Sequence, residues 1–351
     1  EVVTNNKPRI DFKDDANGAL LLEPQRTNLV TYSEDFSQGD WTKSGASVTS
    51  GFVSPDGTDN AFKLVEGTSS SQFIRTSHTV TTGSNTISIF VKADERDWIL
   101  LWDGFSSKGR YFDVKNGNIG SFRISAPDSS SIDNIGNGWF RCSITVNSVS
   151  TNLQNQIYLA DGDGSFSYTG NGTSGVYIYG AQLEQGSYAT SYIPTQGSQV
   201  TRVADACSQT PPSGIIGQTE GTMYVDFNID SLENQTNDPI ILSFNSSNYI
   251  EVFDNGRVNY YDGTGNIDIN LPSYGLTNGR HKFGIAYNVN DVAFYIDGTL
   301  AGTDTNCSPS AKSSLYLGYT NVNFLPVISY NEVKLYNTRL SNSELAALTT
   351  L

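Results

Sequence analysis

Short stretches of alternating apolar and polar residues, punctuated by Gly, Asn, Asp and Pro, fill this chain from end to end. Thr86-Ile87-Ser88-Ile89-Phe90-Val91-Lys92 alternates cleanly, and Trp98-Ile99-Leu100-Leu101-Trp102 is a dense apolar run bounded by charge. Ala61–Val65, Tyr111–Val114, Gly138–Val146 and Gln156–Ala160 have the same form. A period of two sends successive side chains to opposite faces of a strand, and frequent turn residues suit short antiparallel strands in a sandwich or jelly roll. The best helix signal lies near the C-terminus. There Ser341 can cap and Glu344 can reach back to it, ahead of Leu345-Ala346-Ala347-Leu348.

The stretch Gly175–Thr195, GVYIYGAQLEQGSYATSYIPT, reads as a half-buried strand that breaks at Gly186 and ends at Pro194. It is expected to close one sandwich and tether a second. Residues 196–214 read as a semi-stiff linker, bracketed by Gln196-Gly197-Ser198 and Pro211-Pro212-Ser213-Gly214. Alternation restarts after Ile215, in Gly221–Ile229, Ile240–Phe244, Tyr249–Phe253, Gly279–Tyr287, Val292–Ile296 and Ile328–Tyr336. A chain of 351 residues is long enough for two cores. The predicted fold class is all-β, two antiparallel β-sandwiches in tandem: a lead-in arm 1–27, a first sandwich 28–195, the linker 196–214 and a second sandwich 215–351. In the arm, a turn at Asn17-Gly18 and the apolar run Ala19–Leu22 predict packing on a sandwich or on a neighbouring subunit.

Only 16% of residues are charged and the net charge is -15, which opposes binding to nucleic acid and to anionic membranes. No run of 18 apolar residues exists, so no membrane insertion is expected. The chain opens on Glu1 without a signal peptide, which suggests a fragment or a processed product. Two histidines, His78 and His281, exclude a multi-histidine metal site, and no nucleophile elbow or phosphate-cradling loop is present. The only Glu-x-Asp, Glu95-Arg96-Asp97, is followed by Ile99, Leu100 and Leu101 where a glycosidase would place its second carboxylate. A non-enzymatic chain is expected. Asp161-Gly162-Asp163-Gly164 is either a tight turn or a loop for a structural calcium, although Gly172 stands where an EF-hand needs Glu. No other cofactor is expected. Cys142 reads as a core residue, and Cys207 and Cys307 could pair across domains.

Sugar binding has a physical basis here, because pyranose faces stack on aromatic rings while polar side chains bond the hydroxyls. Trp98 and Trp102 are four apart and share one face of a strand. Arg110 and Tyr111 follow on the next strand, with Asp103 and Tyr177 as candidate neighbours; Tyr260, Tyr261 and Tyr319 are candidates in the second sandwich. An alternating aromatic strand is more often the pattern of a core, and both readings stand at this level.

Several segments carry a family resemblance. They are Leu22–Leu29 (LEPQRTNL), GWFRCSITV, DGDGSFSYTGNGTSGVYIYGAQLE, and GAQLEQGSYATSYIPT followed by Thr201–Asp205. They resemble a carbohydrate-binding-like jelly-roll module of bacteriophage tail and other structural proteins. GRHKFGIAYNVNDVAFYIDGTLAG and VKLYNTRLSNSELAALT resemble a laminin-G or concanavalin-like sandwich. The resemblance implies a jelly roll over 28–195 and a concanavalin-like domain over 215–351. It also implies a non-catalytic virion protein, extracellular, of the tail-fibre, receptor-binding or appendage type. Such a protein would bind cell-surface or matrix polysaccharide, contact other virion proteins and form a homo-oligomer, by resemblance a trimer. The alternatives are tandem carbohydrate-binding modules of a secreted polysaccharide-degrading enzyme, and a virion spacer without ligand.

Overall fold

The computed structural model describes residues 8–13, 15–211, 214–231, 240–245, 248–252, 258–262, 278–309, 311–318 and 327–351. Its contacts divide the chain into two units, residues 26–202 and residues 2–25 with 203–351. Each is an antiparallel β-sandwich.

In the first unit one six-stranded sheet runs, in spatial order, Asn118–Phe122, Lys108–Asp113, Trp98–Asp103, Asn152–Ala160, Phe73–Thr79 and Thr42–Ser44. The other runs Ser129–Gly136, Trp139–Ser148, Gly83–Ala93, Gly175–Gln185, Ala61–Glu66 and Ala46–Phe52. Alternation decides which side chains meet between them. Ile87, Ile89 and Val91 from one sheet and Ile99, Leu101 and Phe112 from the other share a core with Phe36, Trp41 and Ile157. The even-numbered partners Trp98, Leu100 and Trp102 therefore leave by the opposite face, where they form a separate cluster.

The loose alternation of Gly175–Gln185 has a local cause. Tyr179 pairs with Phe90 but Gln182 pairs with Ser88, so two residues of one strand face one of the other. Gly180 takes this bulge at φ 61°, and a Cβ there would stand 2.9 Å from the Phe90 ring. The extra residue lets Ala181 and Leu183 reach the core while Tyr179, Gln182 and Glu184 point away from it. This strand is internal to its sheet rather than an edge. The residues after Gly186 fold back instead of leaving as a tether. Thr190 donates its N–H and hydroxyl to the buried Glu184 carboxylate at 2.8 and 2.6 Å, and the Ile193 N–H donates to Gln182 at 2.7 Å. A buried carboxylate needs such donors, and this segment supplies them.

In the second unit a seven-stranded sheet runs Arg9–Asp11, Ala19–Leu22, Val327–Tyr336, Gly221–Ser231, Gly279–Asn288, Asp291–Ile296 and Thr299–Asp304. Facing it are Cys207–Gln209, Leu315–Leu317, Ile240–Asn245, Asn248–Val252 and Val258–Asp262. Phe227, Phe283, Ile285, Phe294, Ile241, Phe244, Ile250 and Tyr260 fill the space between. The lead-in hairpin supplies the edge of this sheet: Leu20 pairs with Tyr330 and Leu22 with Ile328. Arg9 is buried between the carboxylates of Glu23 and Asp205, and Asp205 also accepts the Glu23 N–H at 2.7 Å. Strands also occur within 196–214, with Val200–Arg202 on Arg26–Asn28 and Cys207–Gln209 on Leu315–Leu317. Helix Asn342–Thr349 carries the expected capping box of Ser341 and Glu344. Its Leu345 packs over Gly284, where a Cβ would meet the leucine at 2.7 Å. Cys207 and Cys307 both lie in the second unit, so a bond between them would not link the two domains. No helix among the described residues is long and apolar enough to cross a membrane.

Candidate functional site

The face of the Trp98–Asp103 sheet that points away from the core carries rows set by register. Tyr111, Leu100, Tyr158 and Phe73 lie side by side across four strands. Beside them run Gly109, Trp102, Gln156 and Arg75. Gln154 and Ser77 extend the same face by one pair. Aromatic rings in one row adjoin amides and a guanidinium in the next.

The rings touch one another. Phe73 lies 4.5 Å from Tyr158, and Phe166 meets Tyr158 edge-on at 5.6 Å. Arg123 completes the patch: its guanidinium stands over Phe166 at 3.7 Å, over Trp102 at 4.4 Å and over Tyr158 at 5.6 Å. Arg75 stands 5.8 Å from the Phe73 ring. Ring quadrupoles attract such cations, each by about 0.5–2 kcal/mol according to desolvation. The amides form a directed chain. The Tyr158 hydroxyl donates to Gln156 at 2.9 Å, the Gln156 amide to Gln154 at 2.5 Å, and the Gln154 amide to the exposed Ser77 hydroxyl at 3.2 Å. Gly104 closes against this pair, and a Cβ there would stand 2.2 Å from the Gln156 amide nitrogen.

The sequence candidates distribute as follows. Trp98, Trp102 and Tyr111 do share the outer face; Trp102 and Tyr111 are only 5% and 1% exposed, covered by Phe166 and Arg123, and Trp98 is half-buried against Gly120. Burial raises the Tyr111 phenol above its ordinary pKa, partly offset by the nearby Arg123 charge. Arg110 pairs with Leu101, on the other parity of its strand, and donates to the Gly120 carbonyl at 3.2 Å. Asp103 is a turn anchor, whose carboxylate accepts the N–H groups of Phe105, Ser106 and Gln154 at 2.9 to 3.2 Å. Tyr177 belongs to the other sheet, where it packs on Phe52 at 4.8 Å. Tyr260 is a core residue of the second unit. Tyr319 and the side chain of Tyr261 lie outside the described residues.

Asp161 and Asp163 sit in a hairpin turn closed by the Ser165 N–H donating to the Gly162 carbonyl at 3.2 Å. Asp163 accepts the N–H and hydroxyl of Ser121 at 2.8 and 2.9 Å, which ties this turn to the sheet edge. Among the described residues no group of three or more His, Cys, Asp or Glu is arranged to hold a metal ion. The Glu95-Arg96-Asp97 segment is spent on ion pairs: Glu95 with Lys63 at 2.7 Å, Arg96 with Glu66 at 2.7 Å, and Asp97 with Lys115 at 3.0 Å. Sequence reasoning missed Arg75, Arg123, Gln154, Gln156, Tyr158 and Phe166. The alternation Phe73-x-Arg75-x-Ser77 beside Gln154-x-Gln156-x-Tyr158 could have flagged two strands with a polar, aromatic outer face.

No family model and no curated protein sequence matches this chain. Solved structures are similar to part of it. One is the binding domain of botulinum neurotoxin serotype D, at 13% identity and TM-score 0.33, over 41% of this chain and 39% of that one. Another is domain 4 of AbnA, a GH43 extracellular arabinanase from Geobacillus stearothermophilus solved with arabinotriose, at 16% identity and TM-score 0.32, over 40% of this chain and 71% of that one. A third is the CBM40 domain of the Ruminococcus gnavus IT-sialidase, at 15% identity and TM-score 0.30, over 38% of this chain and 84% of that one. The chain thus spans about two fifths of the botulinum domain it matches.

Proposed function

We propose that this chain is a non-catalytic glycan-binding protein, with the outer face of the Trp98–Asp103 sheet as its binding surface. One observation carries the reading: guanidinium, amide, hydroxyl and aromatic groups are gathered on one sheet face outside the core, in adjoining rows fixed by strand register. Amides and guanidinium groups bond sugar hydroxyls, and the rings beside them offer apolar contact to a pyranose face. The non-catalytic part of the proposal is supported by the engagement of Glu95 and Asp97 in ion pairs. The virion setting, of tail-fibre or receptor-binding type, rests on the sequence segments from Leu22 to Asp205 that resemble phage modules.

A glycan array probed with the full chain tests this, repeated with Arg75→Ala and Gln154→Ala and with mass by light scattering on the same sample. Saturable binding that either substitution weakens is expected. Binding that both leave intact would refute this face as the surface. A monomer selective for a plant or algal polysaccharide would favour a module of a polysaccharide-degrading enzyme over a virion part.

A further inference from the structure

We propose that the glycan taken by this face is acidic, bearing carboxylate or sulfate groups that Arg75 and Arg123 recognise. The inference rests on the glycan-binding reading above and names its ligand class.

The chain holds 36 acidic and 21 basic residues, so an arginine has ample carboxylates to pair with. Arg9, Arg96, Arg280 and Arg339 each do so. Arg75 and Arg123 have no carboxylate partner among the described residues, and both are half-buried on rings of one contiguous patch. The two cations are linked through it by contacts of 5.8 Å to Phe73, 4.5 Å from Phe73 to Tyr158, and 5.6 Å from Tyr158 to Arg123. Arg75 and Trp102 lie two strands apart with Gln156 between, about 10 Å by strand spacing. The bordering carboxylates are already engaged. Asp163 holds Ser121, and Asp113 accepts the N–H groups of Lys115 and Asn116 and the Asn116 amide at 2.9 to 3.1 Å.

A guanidinium that merely covered rings would be replaceable by an apolar side chain at lower desolvation cost. Stacking holds it flat while its in-plane N–H donors remain available to a planar carboxylate or to sulfate oxygens. A net charge of -15 makes generic attraction to polyanions a poor explanation for any such binding, so it would have to be local.

The test uses the full chain and probe pairs that share a backbone and differ in their acidic groups: polygalacturonate against its fully methyl-esterified form, and dextran sulfate against dextran, alongside an array of natural acidic and neutral glycans. The variants are Arg75→Ala and Arg123→Met, the latter keeping an apolar cover on Trp102 and Phe166, with a melt to verify folding. Lys115→Ala serves as the charge control, since it removes one cation at a side chain 61% exposed. Binding confined to acidic glycans is expected, with Kd raised roughly 10- to 100-fold by each arginine variant, the range for a charge-assisted hydrogen bond, and unchanged by Lys115→Ala. Acidic and neutral members bound equally, with the arginine variants silent and Gln154→Ala still weakening binding, would overturn the acidic ligand and leave the glycan reading standing. Acidic binding reduced as much by Lys115→Ala as by the arginine variants would also overturn it. No binding across the array would overturn both.

Discussion

The lead-in hairpin belongs to the second unit, and Leu22→Ala tests that assignment. Leu22 is 3% exposed, pairs with Ile328 and lies in the core that contains Phe227 and Tyr330. Truncating a buried leucine costs about 2–5 kcal/mol through lost transfer energy and the cavity left behind. An edge hairpin can settle inward, so about 2–3 kcal/mol is expected here. With a urea m-value of roughly 2–3 kcal/mol/M, the unfolding midpoint of the second unit should fall by about 1 M. The chain supplies its own two-channel assay. All four tryptophans, Trp41, Trp98, Trp102 and Trp139, lie in residues 26–202, so tryptophan fluorescence reports the first unit alone. Far-UV circular dichroism reports both. Leu22→Ala should shift a component of the dichroism transition and leave the fluorescence midpoint in place. A fluorescence midpoint that moves while the dichroism component stays would refute the assignment, as would a variant that shifts neither.

Three further outcomes follow from the first unit. Gly104→Ala places a Cβ against the ends of Gln154 and Gln156, flexible atoms that can retreat, so the fluorescence melt should move by less than about 1 kcal/mol while glycan affinity drops roughly 3- to 10-fold with the loss of that amide pair. His78 is held by burial at a pKa of about 4, against the opposing pull of Asp40 and a bond to the Leu29 backbone. The unfolded chain therefore takes up a proton first, and stability of the first unit is full above about pH 6.5 and declines towards pH 4 by about 3 kcal/mol; fluorescence-detected urea midpoints should show this slope, and His78→Gln should flatten it. Glu184→Ala leaves the N–H and hydroxyl of Thr190 and the Gln182 amide without their buried acceptor, and should cost about 3 kcal/mol in the same fluorescence melt.

Local alternation made the strands legible, and it placed Trp98 and Trp102 on one face, as the register confirms. It could not say which face met the other sheet, because Leu100 between them is as apolar as Ile99 and Leu101. The outer face is distinguished by Arg123 and Phe166, contributed by separate loops more than 20 and 60 residues further along, and nothing in the Trp98 segment encodes their arrival. The same limit explains Tyr177, whose strand joins the opposite sheet, and the lead-in hairpin, whose partner strand begins at Val327. Period and turn chemistry are written within ten residues; strand neighbours are chosen by contacts across the whole chain.

That division explains why the aromatic residues were easier to find than the polar ones that give the face its chemistry. A tryptophan announces itself by rarity, whereas Gln154, Gln156 and Ser77 resemble the rest of a chain rich in Ser, Thr, Asn and Gln. Register converts them into a row: once Gln156 lies between Trp102 and Arg75, its amide has a fixed direction and an aromatic neighbour. The burial of Trp102 then bears on how a ligand would engage. A ring only 5% exposed offers little stacking surface, so its main effect is to hold Arg123 in place. At Trp102, recognition would run through the N–H donors of Arg123 rather than through the ring face. Replacing Trp102 should therefore weaken binding by loosening Arg123, and it should be mimicked by Arg123→Met, whereas a stacking platform would make the two substitutions independent.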